Sequence, residues 1–327
     1  IFYGINSKFL NPGIFHTKSL TPGKSKIDRH QKIIDKNSII SSIDEESGID
    51  QSGYDQFAKD RYSSLTIDQS AAVFGWGLED TNTLKKIYPE SSKKIHKTGS
   101  PRVDLWRPTF TDYWKAPKNL PQKPFLLISS NMFCTDKNLF YQWSEDGKKL
   151  YEFIDAIKYI SKNNCGYDIV LRPHPREDIS AWRIFLKDVP NVHVIREESI
   201  SAWVKYAFAI MHNGCTTAIE ATISGKPVLT YNPFKMEYAH DLPNSLGFNI
   251  NSKDKLLEKT NQLFELSKKS NFKIEKVDMP EQLLEKIYID QDELASEKII
   301  KVWETIDNKN LSENNNWYKF YCLLKIL

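Results

Sequence analysis

The chain of 327 residues is long enough for two domains of ordinary size, each with its own core, and its 40% hydrophobic content is that of a globular protein. Its 45 Lys and Arg nearly balance 42 Asp and Glu, so a net charge of +3 excludes a field strong enough to make nucleic acid the main partner. Four cysteines, Cys134, Cys165, Cys215 and Cys322, form no CxxC pair, which excludes a disulfide framework and a zinc-ligand set and fits a reducing compartment. No apolar run approaches the roughly 18 to 20 residues needed to span a bilayer, so the expected location is cytoplasmic. The chain opens at Ile1 and enters at once into IFYGINSKFL, which points to an upstream segment and an incomplete first domain.

Taken in order, Lys24–Lys36 has the pattern of a short helix, and IISSID (Ile39–Asp44) is a β-rich run ending in the acids Asp44, Glu45 and Glu46. A helix before AAVFGWG (Ala71–Gly77), a helix over Thr81–Tyr88 and a strand at KIHKTGSPRVDLW (Lys94–Trp106) continue the alternation. The stretch Thr109–Pro124, with Pro117 and Pro121 and no apolar periodicity, reads as the domain linker. A βα rhythm follows. Its strands are FLLISSN (Phe125–Asn131), YDIVLRPHP (Tyr167–Pro175), VHVI (Val192–Ile195), FAIMHN (Phe208–Asn213) and PVLTYNP (Pro227–Pro233); its helices are Tyr151–Ser161, Ala181–Leu186, Ser201–Tyr206 and Thr216–Ser224. Repeated βα units with short loops imply an α/β, doubly wound parallel sheet. The chain from Lys255 is charged and helical in pattern, with Leu256, Leu263 and Leu266 on inward faces, and it ends in the apolar cluster WYKFYCLLKIL (Trp317–Leu327). The expected organisation is an acceptor-side α/β domain over residues 1–115, a nucleotide-sugar-binding domain over 120–300 and a helical tail over 301–327 that packs back on the first domain or docks on a membrane surface.

Three constellations carry chemistry. In MHNGCTTAIEA (Met211–Ala221) a strand runs through Asn213 and Gly214 into Thr216, Thr217 and a helix. The unpaired N–H groups and positive end of a first helical turn suit a phosphate, Gly214 lets a ligand approach the backbone, and the threonines donate hydroxyl bonds. The plainer alternative is that Asn213 or Thr216 only caps the helix. Glu220, one turn on, can accept bonds from ribose hydroxyls, and His212 is either a site residue or a packed strand residue. In LRPHP (Leu171–Pro175) His174 stands at the carboxyl end of a strand, where open α/β sheets bind ligands, with Arg172 as a nearby positive charge. A histidine there donates to a phosphate oxygen and stabilises leaving-group charge, whereas an isolated His-Pro pair more often only shapes a turn. In DEESG (Asp44–Gly48) a carboxylate can act as general base; strand alternation sends Asp44 and Glu46 to one side and Glu45 to the other, and Glu46 is the preferred candidate. A surface acidic loop is the alternative. Ser129, Ser130 and Asn131, after the first strand of the second domain, are placed to face a nucleotide. The chain has no GxGxxG, GxxxxGK[ST], HExxH or GxSxG motif, which argues against dehydrogenase, P-loop, zincin and hydrolase chemistry.

The ordered set DEESG, FGWG with KTGSPRVDLWRP, LRPHP, and HNGCTTAIEA with SGKPVLTY resembles the bacterial surface carbohydrate (polysaccharide) biosynthesis protein family over roughly Ile1–Pro233. That family is similar in outline to GT-B glycosyltransferases that use CMP-activated acidic sugars, such as Kdo transferases and bacterial sialyltransferases, and more distantly to CDP-glycerol glycerophosphotransferases. The resemblance implies two Rossmann-like domains facing a cleft, Glu46 as acidic base, His174 on the donor phosphate, and Thr216 and Thr217 as the hydroxyl motif. It implies a metal-independent glycosyltransferase of capsule or lipopolysaccharide synthesis, with no cofactor beyond its nucleotide-sugar donor and a glycan or lipid-linked acceptor. The sequence departs from the sialyltransferase pattern in DEESG, where a compact acidic pair before glycine is usual, and in Cys215 where a serine is expected. A non-hydrolysing sugar-nucleotide epimerase, a CDP-glycerol glycerophosphotransferase-like enzyme and a non-catalytic nucleotide-sugar-binding partner are the rival expectations.

Overall fold

The computed structural model describes residues 13–46, 54–110, 112–131, 145–234, 241–269 and 280–306. Ser47 and Gly48 of the acidic motif, Cys134, Cys322 and the Trp317–Leu327 cluster lie outside the described residues. The chain divides into two compact units, one of Ile1–Asp104 with the chain from Glu281 onward, the other of Leu105–Pro280.

In the first unit β1 (Ile14–Thr17), β2 (Ile39–Ile43), β3 (Ala72–Gly75) and β4 (Ile95–Lys97) form a parallel sheet in sequential order. Between them run α1 (Lys24–Ile34), α2 (Tyr54–Arg61), α3 (Ser64–Asp68) and α4 (Leu78–Ile87), and α5 (Pro101–Asp104) follows. Right-handed crossovers between strands in sequential order put the connecting helices on one face of the sheet. Alternation along β3 shows the result. Val73 packs with Leu20, Ala58, Tyr62, Ile67, Leu84 and Ile95 on one face, while Ala72 and Phe74 turn to the other. The strand expected over Lys94–Trp106 stops at Lys97, because Gly99 takes φ +85° and Pro101 opens a helix.

In the second unit β5 (Phe125–Ser129), α6 (Glu145–Asn163), β6 (Asp168–Arg172), α7 (Ile179–Phe185), β7 (Val192–Val194), α8 (Ile200–Tyr206), β8 (Ala209–His212), α9 (Thr217–Ile223), β9 (Val228–Tyr231), α10 (Asp241–Ser245), β10 (Phe248–Ile250) and α11 (Lys253–Lys269) follow the chain. The six strands are all parallel, in the order β10-β9-β8-β5-β6-β7. β5, β6, β8 and β9 are buried along their whole length, as strands covered on both faces must be. Leu256 and Leu263 of α11 join the core, whereas Leu266 is 53% exposed, about 60° around the helix from Leu263 and so off the buried face. The stretch Thr109–Pro124 read as a linker belongs to this unit: the Trp114 ring lies 5.6 Å from that of the buried Trp106, and the Lys118 N–H donates to Glu198 at 3.1 Å.

The chain then returns to the first unit through α12 (Glu281–Leu284) and α13 (Ala295–Thr305). Ile299, Val302 and Trp303 of α13 cover Ala72 and Phe74, the sheet face left bare by the crossovers. The Trp303 indole donates to the Ser41 hydroxyl at 3.0 Å.

Candidate functional site

The second sheet has strand order 3-2-1-4-5-6 when counted from β5 within its own unit. The order reverses between β5 and β8, and the crevice beyond the carboxyl ends of those two strands is where such sheets bind ligands. Ser129 ends β5, and Asn213, Gly214 and Cys215 follow β8. The Ser129 hydroxyl lies 3.1 Å from the Cys215 thiol and 3.3 Å from the Thr217 hydroxyl, and Cys215 and Thr217 are 3.2 Å apart. Three small hydroxyl or thiol groups thus meet at the switch point. Gly214 takes φ +71°, a conformation that favours glycine. Its N–H donates to Asn244 Oδ1 at 2.8 Å and its carbonyl accepts from Asn131 Nδ2 at 3.0 Å. That acceptor role fixes the Asn244 amide and leaves Nδ2 buried without a partner among the described residues.

Thr216 is exposed at the N-cap of α9 and its side chain makes no capping bond; Thr217, the first helical residue, is buried in the hydroxyl cluster. Asn213 does not cap the helix, whose N-cap position is Thr216; its Nδ2 donates to the Tyr231 carbonyl at 3.0 Å. His212 is fully buried in β8, accepting the Cys215 N–H at Nδ1 (3.2 Å) and meeting the Thr230 hydroxyl at Nε2 (3.0 Å).

Arg172, expected near a phosphate, and Glu220, expected near ribose hydroxyls, are turned elsewhere. Arg172 is 8% exposed, and its terminal nitrogens donate to the carbonyls of Arg196, Glu197 and Glu198 while its plane lies 5.7 Å from the Trp203 ring. Burial lowers its guanidinium to about 10, still charged at neutral pH. It braces the loop after β7. Glu220 is buried as well, accepting from the Trp106 indole at 3.3 Å and from the Ser201 hydroxyl, so it ties the chain at Trp106 and α8 to α9.

His174 follows β6 and is half-buried. Its Nδ1 accepts the Arg176 N–H at 3.2 Å, so the neutral ring carries its proton on Nε2. Glu177, which local pattern did not single out, is 3% exposed and accepts both the His174 N–H at 2.6 Å and the Ser130 hydroxyl. The only trace of it in the sequence is an acid three residues after the histidine, the spacing of a turn.

The acidic motif lies in the first unit, and its three acids part ways. Asp44 is 1% exposed and grips Arg61 through two bonds, to Nε at 3.0 Å and Nη2 at 3.1 Å, and accepts the Glu46 N–H at 2.8 Å. Burial pushes the Asp44 carboxyl up, opposed by Arg61. Glu46 is exposed and pairs with the third nitrogen of Arg61 at 3.0 Å; Glu45 turns to Lys18 at 2.8 Å. In the FGWG loop the Asp80 carboxylate accepts the N–H groups of Trp76 and Gly77, and the Glu285 carbonyl accepts those of Leu78 and Glu79, so the start of α4 is satisfied by the protein itself. Among the described residues no group of three metal-ligating side chains occurs, and no helix is long and apolar enough to cross a membrane.

No protein-family model and no curated protein matches the sequence. Solved structures match its fold. A UDP-GlcNAc 2-epimerase from Neisseria meningitidis bound to UDP-GlcNAc superposes with a TM-score of 0.52 at 16% identity, covering 89% of this chain and 75% of that one. The wall teichoic acid polymerase TagF, as a histidine-to-asparagine variant soaked with CDPG, gives 0.55 at 11% identity, over 89% of this chain and 71% of that one. The S. aureus MnaA structure with UDP gives 0.52 at 14%, over 96% and 74%. At these identities the likeness is one of fold: two parallel-sheet, Rossmann-like α/β units of the GT-B-like class.

Proposed function

We propose that the chain is an enzyme of surface carbohydrate synthesis that binds a nucleotide-activated sugar, or a sugar-like alcohol, at the carboxyl ends of β5, β6 and β8. The observation that carries this is the switch point itself. The strand-order reversal and the left-handed Gly214 turn shape the crevice, and the Ser129 and Thr217 hydroxyls, the Cys215 thiol and the Nε2–H of His174 are donors suited to phosphate oxygens. A pyrophosphate-linked nucleotide is favoured over a CMP-linked one, because proteins of like fold were solved with UDP, UDP-GlcNAc and CDPG.

Transfer to a glycan or lipid-linked acceptor is the reaction we assign, with His174 and the hydroxyl cluster on the donor phosphate and Glu46, held by Arg61, as the acceptor-side base. Epimerisation of the bound sugar is the second reading, favoured by the fold likeness to UDP-GlcNAc 2-epimerases. Titrating UDP-, CDP-, GDP- and CMP-linked sugars calorimetrically into the wild type and His174→Ala tests the site. The wild type is expected to bind a diphosphate-linked sugar, and the variant to lose about 10²- to 10³-fold in turnover, the range for one electrostatic donor to developing charge. A folded protein that binds none of the panel overturns the proposal. A new product formed from the donor alone, with no acceptor added, moves the assignment to the epimerase.

A further inference from the structure

Glu177 joins the loops after three neighbouring strands. Ser130 follows β5, His174 follows β6 and Arg196 follows β7. Glu177 Oε2 accepts from the Ser130 hydroxyl and from the His174 N–H, and the Glu177 N–H donates back to the His174 carbonyl at 2.9 Å. Arg196 Nη2 then donates to the carbonyls of His174, at 3.3 Å, and Glu177. A carboxylate 3% exposed is costly to leave without its donors, so these bonds hold the turn shut. Ser129 and Ser130 divide the labour at the strand end: Ser129 faces the β8 side through Cys215 and Thr217, and Ser130 the β6 side through Glu177.

We propose that Glu177 is a positioning residue that sets His174 in register with the end of β5, fixing the ring's place and its Nε2–H tautomer at the switch-point crevice. The role rests on the nucleotide-site reading, since it acts through His174. The turn from His174 to Glu177 presents the Arg176 N–H to Nδ1; loosening the turn frees the ring to take either tautomer.

Two measurements test it. The first needs no ligand: the ring nitrogen signals of His174 are recorded by NMR in the wild type, Glu177→Gln and Glu177→Asp. Aspartate draws the carboxylate back by about 1.5 Å, one carbon–carbon bond, and is expected to shift the ring toward mixed tautomers, whereas the Gln amide oxygen still accepts the His174 N–H and restores the Nε2–H form. Identical ring signals in all three proteins overturn the proposal even if the nucleotide reading stands. The second is a double-mutant cycle with His174→Ala, read as affinity for the diphosphate-linked sugar and as kcat against KM. Glu177→Asp is expected to lose about tenfold or more against wild type, with the loss mainly in kcat, and nothing further on the His174→Ala background. Losses that multiply across the two sites show that Glu177 acts independently of His174 and overturn the proposal. A wild type that binds no nucleotide-linked sugar removes the site reading, and the NMR comparison still decides the tautomer claim.

Discussion

Asp44 shows how far a carboxylate's character depends on a neighbour distant in sequence. Alternation along β2 put Asp44 and Glu46 on one side and Glu45 on the other, and both do reach Arg61 while Glu45 turns to Lys18. Alternation did not disclose that Arg61, at the end of α2, would draw Asp44 fully inside, nor that the strand stops at Ile43 and leaves Glu46 in solvent. The same holds for Glu220, whose indole partner lies 114 positions away, and for Arg172, whose acceptors belong to the next loop. Local pattern gives a side chain's direction, and its partner comes from the fold. Arg61→Ala is expected to destabilise the protein by about 3 kcal/mol at pH 7, since it leaves a buried carboxylate without its cation. The sign with pH follows from the direction of the shift. Burial already raises the Asp44 carboxyl, and without Arg61 nothing of comparable strength opposes it. The folded variant therefore takes up a proton before the unfolded chain does as pH falls, and regains stability. Denaturant midpoints of wild type and variant should converge from pH 7 to pH 5; a gap that stays constant would show that Asp44 is not the group at issue.

Among the elements, strand positions were the most legible, because buried parallel strands are short apolar runs bounded by turn residues. The five strands expected in the second unit all form, each trimmed by one to four residues where the chain leaves the ladder. What escaped were elements whose reason for being is tertiary. β1, the four residues Ile14–Thr17, and β10, the three residues Phe248–Ile250, exist as strands only by pairing with β2 and β9. The KTGSP segment leaves the strand at Lys97 because Gly99 is a site of close approach, a property that depends on a segment distant in sequence. A Cβ on Gly99 would stand 2.4 Å from the Tyr288 carbonyl oxygen, at φ +85°. Gly166 has φ +113° but nothing within 4 Å of such a Cβ. Gly166→Ala is thus expected to cost about 1–2 kcal/mol from backbone strain alone, and Gly99→Ala about 2–5 kcal/mol, with the overpacking added. Urea unfolding of the two variants separates the terms, and equal losses would show that the Tyr288 segment yields without cost.

At the scale of the whole chain, strand order explains the route. A sheet that reverses its order, as β10-β9-β8-β5-β6-β7 does, covers both faces with its own crossovers and can be built from a continuous stretch of sequence. A sheet in the order β1-β2-β3-β4 covers one face only, so the first unit must borrow α13 from residues some two hundred positions on. The wholly buried Phe74 measures the need: exposing its side chain costs about 1.5–3 kcal/mol on its own. The Glu285 carbonyl adds to the dependence by taking the first N–H groups of α4. Ending the chain at Pro280 is therefore expected to act unequally on the two units. Hydrogen exchange should accelerate across β2, β3 and the first turn of α4, while β5, β6 and β8 keep the protection of the full-length protein. Because the proposed nucleotide site stands wholly on the second sheet, the shortened chain should retain affinity for a diphosphate-linked sugar and lose turnover if the first unit supplies the acceptor. Equal loss of protection in both sheets would mean that the second unit, continuous as it is, is not independently stable.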